Sequence, residues 1–242
     1  MRTIASYCVL IGALFLFAAG QSAWGSPSGL NNIPTTDVVP GNILVFQTWF
    51  NMANDMQTEE FFGFKYGVPF LEGLEIGADW KGIGASHGHA VFQAKYAFDI
   101  QEDVWRGVVG IANVSDNRKH NGEVFPYLAT SVDLDLVRLH AGFAAQPHNE
   151  AFFAGIDRTF PFLNRNLQLK GDVIQIHDMD DVLFSVGFLY DFAPLSDEPT
   201  HSGLMGVLEE IGRNIVLEAW VSLPSTGGEE VLTLKLNYVI RF

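Results

Sequence analysis

The chain ends Val231-Leu232-Thr233-Leu234-Lys235-Leu236-Asn237-Tyr238-Val239-Ile240-Arg241-Phe242, and this stretch decides the fold. Leu232, Leu234, Leu236, Tyr238, Ile240 and Phe242 form an unbroken apolar face, while Thr233, Lys235, Asn237, Val239 and Arg241 form the other. A period of two means an extended strand with a different environment on each side. Chain ends are usually frayed and polar. A terminal strand tipped by an aromatic residue instead places the end of this chain inside a sheet.

The same two-faced pattern recurs upstream. Phe62, Phe64, Tyr66 and Val68 alternate with Phe61, Gly63, Lys65 and Gly67; Leu74, Ile76, Ala78 and Trp80 alternate with Glu75, Gly77, Asp79 and Lys81. Comparable alternation runs through 89–98, 137–143, 183–192 and 214–221. The apolar faces carry aromatics near strand ends, and the other faces mix small residues with charges of both signs. That distribution suits a lipid-facing wall around a narrow polar lumen. Residues 43–51, 104–114 and 124–132 are apolar on both faces, and around Asp172-Val173-Ile174 the alternation slips phase, where a bulge is expected. The count comes to about twelve strands, separated by polar loops near 52–58, 82–88, 115–122, 145–150, 177–181 and 224–229 and by turns near 70–72, 99–102, 133–135, 160–165 and 193–212. Within the last of these, Leu204, Val207, Leu208 and Ile211 fall on one face of a possible short helix near 200–212.

At 242 residues the chain has room for one domain. Residues 1–25 have the form of a secretory signal: Arg2, an apolar run from Ile4 to Ala19, and the small residues Ala23 and Gly25 before Ser26. The single cysteine, Cys8, lies inside it, so disulfides do not stabilise the chain beyond residue 25. Residues 26–41, punctuated by Pro27, Pro34 and Pro40, are expected to be an irregular leader that tucks into the barrel or its periplasmic mouth, and 42–242 to be the barrel. After the signal no apolar run reaches helix-spanning length. Strands cross lipid only as a closed barrel, because every backbone polar group needs an internal partner. Charged residues make up only 17%, and the net charge of −14 argues against nucleic acid as a partner.

The closing strand resembles the assembly signal of bacterial outer-membrane β-barrel proteins, a final amphipathic strand ending in Phe; Leu234, Leu236, Tyr238, Ile240 and Phe242 match it. The resemblance implies an all-β, antiparallel, up-and-down transmembrane barrel in the cell outer membrane. It implies insertion by the barrel assembly machinery and contact with outer-membrane lipid and lipopolysaccharide.

The inner faces supply the candidate lumen residues Glu75, Asp79, Lys81, Lys95, Arg138, His140, Asp157, Lys170, Asp172, Glu218, Lys235 and Arg241. Charges inside a narrow barrel must be paired or hydrated. They are expected either to set the selectivity of a narrow channel for small solutes or to fill a closed, rigid barrel that works through its outer loops. Fold analogy favours the channel. A lipid-active enzyme needs a Ser or His and a carboxylate meeting on the lipid-facing rim, and no Gly-x-Ser-x-Gly or comparable motif is present. A soluble periplasmic ligand-binding barrel is the remaining reading. His87 and His89 lack a third metal ligand, and His177-Asp178-Met179-Asp180-Asp181 lacks the Gly and terminal Glu of a calcium loop. No catalytic set, metal or cofactor is therefore expected.

Overall fold

The computed structural model describes residues 28–52, 58–81, 90–116, 123–145, 150–176, 182–193 and 211–242. The proposed signal at 1–25 and most of the possible helix at 200–212 lie outside the described residues, as do His87, His89 and the acidic run at 177–181. Ile211 and Gly212 are helical and lead into a turn in which the Asn214 N–H bonds the Ile211 carbonyl.

Twelve strands form the wall: β1 Ile43–Met52, β2 Thr58–Gly67, β3 Leu74–Lys81, β4 Val91–Gln101, β5 Trp105–Val114, β6 Phe125–Asp133, β7 Arg138–Ala145, β8 Glu150–Phe162, β9 Arg165–Ile176, β10 Val182–Asp191, β11 Ile215–Pro224 and β12 Val231–Arg241. Each pairs antiparallel with its sequence neighbours, and β12 closes the barrel on β1 with Ile43 opposite Arg241 and Met52 opposite Leu232. Closure leaves no sheet edge, so every strand pairs on both sides.

The alternation becomes an inside and an outside. On β12, Leu234, Leu236 and Tyr238 are exposed, while Thr233, Lys235 and Asn237 are buried. Phe46, Phe62, Ile76, Phe92, Leu128, Phe152, Leu169 and Val186 extend the exposed apolar surface around the wall. Aromatic pairs gather at both rims. Phe62 stacks on Trp80 and Phe143 packs on Phe152 at the end away from the chain terminus, and Tyr190 meets Phe192 at the near end.

The structure corrects one local expectation. No bulge occurs at Asp172-Val173-Ile174; β9 keeps an unbroken register with both β8 and β10. Lys170, Asp172 and Ile174 all face inward, and the apparent slip arises because Ile174 is apolar on the inner face. The register shifts lie instead between β4 and β5, at Phe92/Ala94 and Asp99/Gln101.

The strands that are apolar on both faces have the same origin. Val108, Ala112, Phe125, Tyr127 and Ala129 on β5 and β6 join Phe153 and Ile174 in a buried apolar patch inside the barrel. Leu30 and Ile33, from the segment before β1, complete that patch.

Candidate functional site in the barrel interior

Residues 28–41 precede the wall and bond to it from within. Gly29 bridges Pro34 in an antiparallel pair, and the Leu30 N–H bonds the Ile33 carbonyl, so the segment folds into a tight hairpin with Leu30-Asn31-Asn32-Ile33 at its tip. The tip is buried, with Leu30 3% and Ile33 0% exposed. Two features of the sequence make room for it. Gly67 faces the returning leg so closely that a Cβ there would stand 2.0 Å from the Pro40 carbonyl oxygen. Asn42, at φ 62°, then turns the chain from the interior into β1; Asn tolerates this left-handed conformation better than most residues.

The wall meets the tip along one row. Cross-strand pairing aligns Ser131, His140, Gly155, Asp172, Ser185 and Ser222 from β6 to β11. Small side chains leave a shallow groove, and the hairpin lies in it. The Thr36 N–H points at Ser131 Oγ at 3.4 Å. Leu30 and Ile33 sit over Gly155, where a Cβ would fall 2.4 Å and 2.9 Å from their Cδ1 atoms. The Asn31 N–H donates to Asp172 Oδ2 at 2.9 Å, and Asn32 Nδ2 donates to Ser185 Oγ at 2.6 Å and Ser222 Oγ at 2.8 Å.

The two legs are held by charge. Glu75 accepts the Ser28 hydroxyl at 2.7 Å and the Val39 N–H at 2.7 Å. Lys95 donates to the carbonyls of Ser28, Thr35 and Asp37. Arg138 grips Asp37 in a bidentate pair, Nη1 to Oδ1 at 2.6 Å and Nη2 to Oδ2 at 2.9 Å. Asp37 lies outside the strands. Desolvation inside the barrel pushes its carboxyl up, but Arg138 and, more weakly, Lys95 outweigh this and hold it below its ordinary value of 3.8.

Behind Arg138 stands a hydrogen-bonded relay. Asp157 Oδ2 accepts Arg138 Nη2 at 2.8 Å and contacts His140 Nε2 at 2.7 Å, and His140 Nδ1 contacts Ser131 Oγ at 2.7 Å. A neutral imidazole satisfies every member if Nε2–H donates to Asp157 and the Ser131 hydroxyl donates to Nδ1. Ser, His and Asp thus meet, but on the inner face, with the Ser131 oxygen against the hairpin backbone. The arrangement couples hairpin contact at Ser131 to the carboxylate that backs Arg138.

A second network belongs to the wall alone. Glu218 accepts Lys170 at 2.5 Å, Lys235 at 3.2 Å and Asn237 at 2.8 Å, and Asn237 in turn accepts Gln47 at 2.7 Å. A third group is incompletely paired. Gln93 donates to Asp79 Oδ2 at 2.9 Å, while Lys65 Nζ, Asp79 Oδ1 and Gln93 Oε1 are buried without a hydrogen-bond partner among the described residues. Gly77 lies directly opposite both Lys65 and Gln93, and the Gln93 side chain packs over it, with Nε2 3.1 Å from where a Cβ would stand.

Of the residues singled out from the sequence, Glu75, Asp79, Lys95, His140, Asp157, Lys170, Asp172, Glu218 and Lys235 are buried. Arg138 is partly exposed beside Asp37. Arg241 stands exposed at the rim, bonded to Asn214 at 2.8 Å, and does not join the interior groups. Lys81 ends β3, and its side chain lies outside the described residues. Sequence reasoning passed over Lys65, although it lies on the inner face of a strand with clear alternation. It also passed over the polar neutral residues Gln47, Gln93, Ser131, Ser185, Ser222 and Asn237, and every contact of the leader.

No family model matches the chain, and no curated protein matches it. Solved structures do. The KdgM porin in complex with disordered oligogalacturonate is 11% identical at a TM-score of 0.55, over 81% of this chain and 98% of that one. The low-pH structure of Pseudomonas putida OprB is 10% identical at 0.37, over 82% of this chain and 91% of that one. The Acinetobacter baumannii outer membrane protein Omp33 is 8% identical at 0.43, over 85% of this chain and 100% of that one. With the KdgM likeness joined to the closed antiparallel wall, the chain has the fold of an outer-membrane β-barrel of the porin type.

Proposed function

We propose that this protein is an outer-membrane channel for small polar solutes whose resting lumen is occupied by its own N-terminal hairpin, residues 28–39. One observation carries the reading: the polar contacts of the Glu218 network, made within the wall, are separate from those made to the hairpin. Lys170, Glu218, Lys235, Asn237 and Gln47 satisfy one another within the wall. Glu75, Lys95 and Asp172 spend their hydrogen bonds on the hairpin. A wall that keeps its own network can stay closed on itself while the hairpin shifts. A barrel of this strand number lies between side-chain-filled eight-stranded barrels and wide sixteen-stranded porins, so an internal segment decides whether it conducts. The KdgM porin shares the fold, and the pore reading for this chain rests on its own interior.

Planar-bilayer recording of refolded protein tests it. Small conductance steps are expected from the wild type and larger ones when residues 28–39 are deleted. A disulfide between Thr36→Cys and Ser131→Cys, verified by thiol titration, should suppress steps until it is reduced. Silence of all these forms at every voltage would sink the channel.

A second reading, a permanently closed structural barrel, draws on the packing of Leu30 and Ile33 into the interior apolar patch. It expects the deletion to abolish folding rather than to raise conductance.

We further propose export through a cleaved signal at 1–25 and insertion by the barrel assembly machinery through Leu234, Leu236, Tyr238, Ile240 and Phe242. The exposed apolar belt would face outer-membrane lipid and lipopolysaccharide. N-terminal sequencing of the mature protein near residue 26 checks the first, and loss of surface assembly on removal of Phe242 checks the second.

A further inference from the structure

The geometry points to Arg138 as the carboxylate-recognition site of the lumen, with Asp37 as the chain's own stand-in for a solute carboxylate. The inference rests on the channel reading and adds the class of solute.

Three features of the site support it. First, the contact has the form of ligand recognition. Both oxygens of the Asp37 carboxylate are held by the guanidinium, at 2.6 Å and 2.9 Å. A planar fork of this kind matches any carboxylate, whether it belongs to the chain or to a solute.

Second, the guanidinium is held in place from behind. Arg138 Nε and Nη2 donate to Asp157 Oδ2 at 3.1 Å and 2.8 Å, and Asp157 is itself fixed by His140. When Asp37 leaves, Arg138 keeps its orientation, so the edge that faced Asp37 is presented ready-made. A preorganised donor loses little freedom on binding.

Third, the pair can be reached. The side chains of Arg138 and Asp37 are 26% and 41% exposed, whereas the Lys170–Glu218 pair is 0% and 7% exposed. A solute carboxylate arriving through water can compete at the first pair and not at the second.

The neighbouring charges sharpen the choice. Lys95 also loses its hairpin carbonyls when the segment moves, but Glu75 lies directly opposite it on β3 and loses its hairpin contacts at the same time, which leaves the two charges to offset each other. Arg138 is then the interior cation whose hydrogen-bonding edge was occupied by the hairpin and is left facing the lumen. In a chain of net charge −14, such a local cation offsets the long-range repulsion an anion meets. The expected ligand class is a small solute with one free carboxylate, and binding it releases the anchor that holds the hairpin leg.

Proteoliposome flux with gluconate and glucose as paired probes tests the site, with heat-modifiable gel mobility confirming folded barrels. Asp37→Asn is nearly isosteric and frees Arg138; it should raise the gluconate-to-glucose flux ratio roughly tenfold, the scale of one charge-assisted contact. Arg138→Gln should bring the ratio down to that of a site with no preference. Arg138→Lys, which keeps the charge but loses the fork, should fall between the two. Unchanged ratios in all three variants, with glucose still passing, would overturn the carboxylate site and leave the channel standing. No flux of either probe through any form would overturn both.

Discussion

Lys170 on β9 and Glu218 on β11 meet on the inner face of the wall, one strand apart, at 2.5 Å, with side chains 0% and 7% exposed. The strand between them, β10, contributes Gly187, which pairs with Lys170 on one side and Trp220 on the other; a Cβ there would stand 2.4 Å from Trp220 Cβ and 2.8 Å from Asn31 Oδ1. Lys235 approaches the other Glu218 oxygen at 3.2 Å, so one carboxylate accepts from two ammonium groups. Replacing Glu218 with Gln leaves both uncompensated in a desolvated site. The loss should be about 3 to 5 kcal/mol, the scale for breaking a buried pair by removing one partner. Urea unfolding from liposomes measures it, and the double change Glu218→Gln with Lys170→Met should recover part of the loss.

Gly155 tests how the hairpin is seated. Its strand pairs on both sides and its neighbours in the row are Ser, His and Asp, so a larger residue fits the wall but not the groove. Gly155→Leu would drive its side chain into Leu30 and Ile33. Overpacking costs roughly 1 to 3 kcal/mol, and the hairpin is the part able to yield. Limited proteolysis should cut residues 28–39 faster while the barrel stays heat-modifiable. Equal cutting rates in wild type and variant would show that the tip does not depend on this groove.

Much of the wall was legible in the sequence, and the reason is physical. Lipid outside and charge inside impose a strict period of two, so Leu234, Leu236 and Tyr238 separated from Lys235 and Asn237 on inspection. The same rule assigned Lys170 and Glu218 to the interior. It did not show that they pair, because cross-strand register depends on turn lengths that no single strand encodes. Ile174 misled for the opposite reason. An apolar inner residue looks like a phase error until Leu30 and Ile33 are known to cover it. The hairpin itself has no period to detect. Asp37 and Asn32 gain their roles from partners on β7, β10 and β11 that lie more than a hundred residues away.

Asp37 sets the pH behaviour of the anchor. Its carboxyl is held below the ordinary value of 3.8, chiefly against desolvation by Arg138. A depressed carboxylate contributes stability that is complete above its unfolded pKa and is lost as pH falls through the folded one. The leg should therefore stay anchored from pH 8 down to about 5 and loosen only in acid beyond the ordinary carboxylate range. Asp37→Asn should be loose throughout. Protease accessibility of residues 28–39 against pH separates the two curves; a transition near neutral pH in the wild type would contradict the assignment.

Leu236 distinguishes a membrane wall from a soluble one. It sits mid-strand on β12, 42% exposed, beside Lys235, which is 8% exposed. The two positions differ by one residue and by the medium they face. If the outer belt meets lipid, Leu236→Arg places a charge near the bilayer midplane and costs roughly 2 to 4 kcal/mol. In a soluble barrel the same change adds a solvated surface charge and costs little, since exposed substitutions usually stay within about 0.5 kcal/mol. Lys235→Leu should destabilise in both cases, because it removes a partner of Glu218. Folding both variants into bilayers and into detergent, with urea titration of each, gives the contrast. A Leu236→Arg barrel as stable in lipid as the wild type would remove the transmembrane reading of the closing strand.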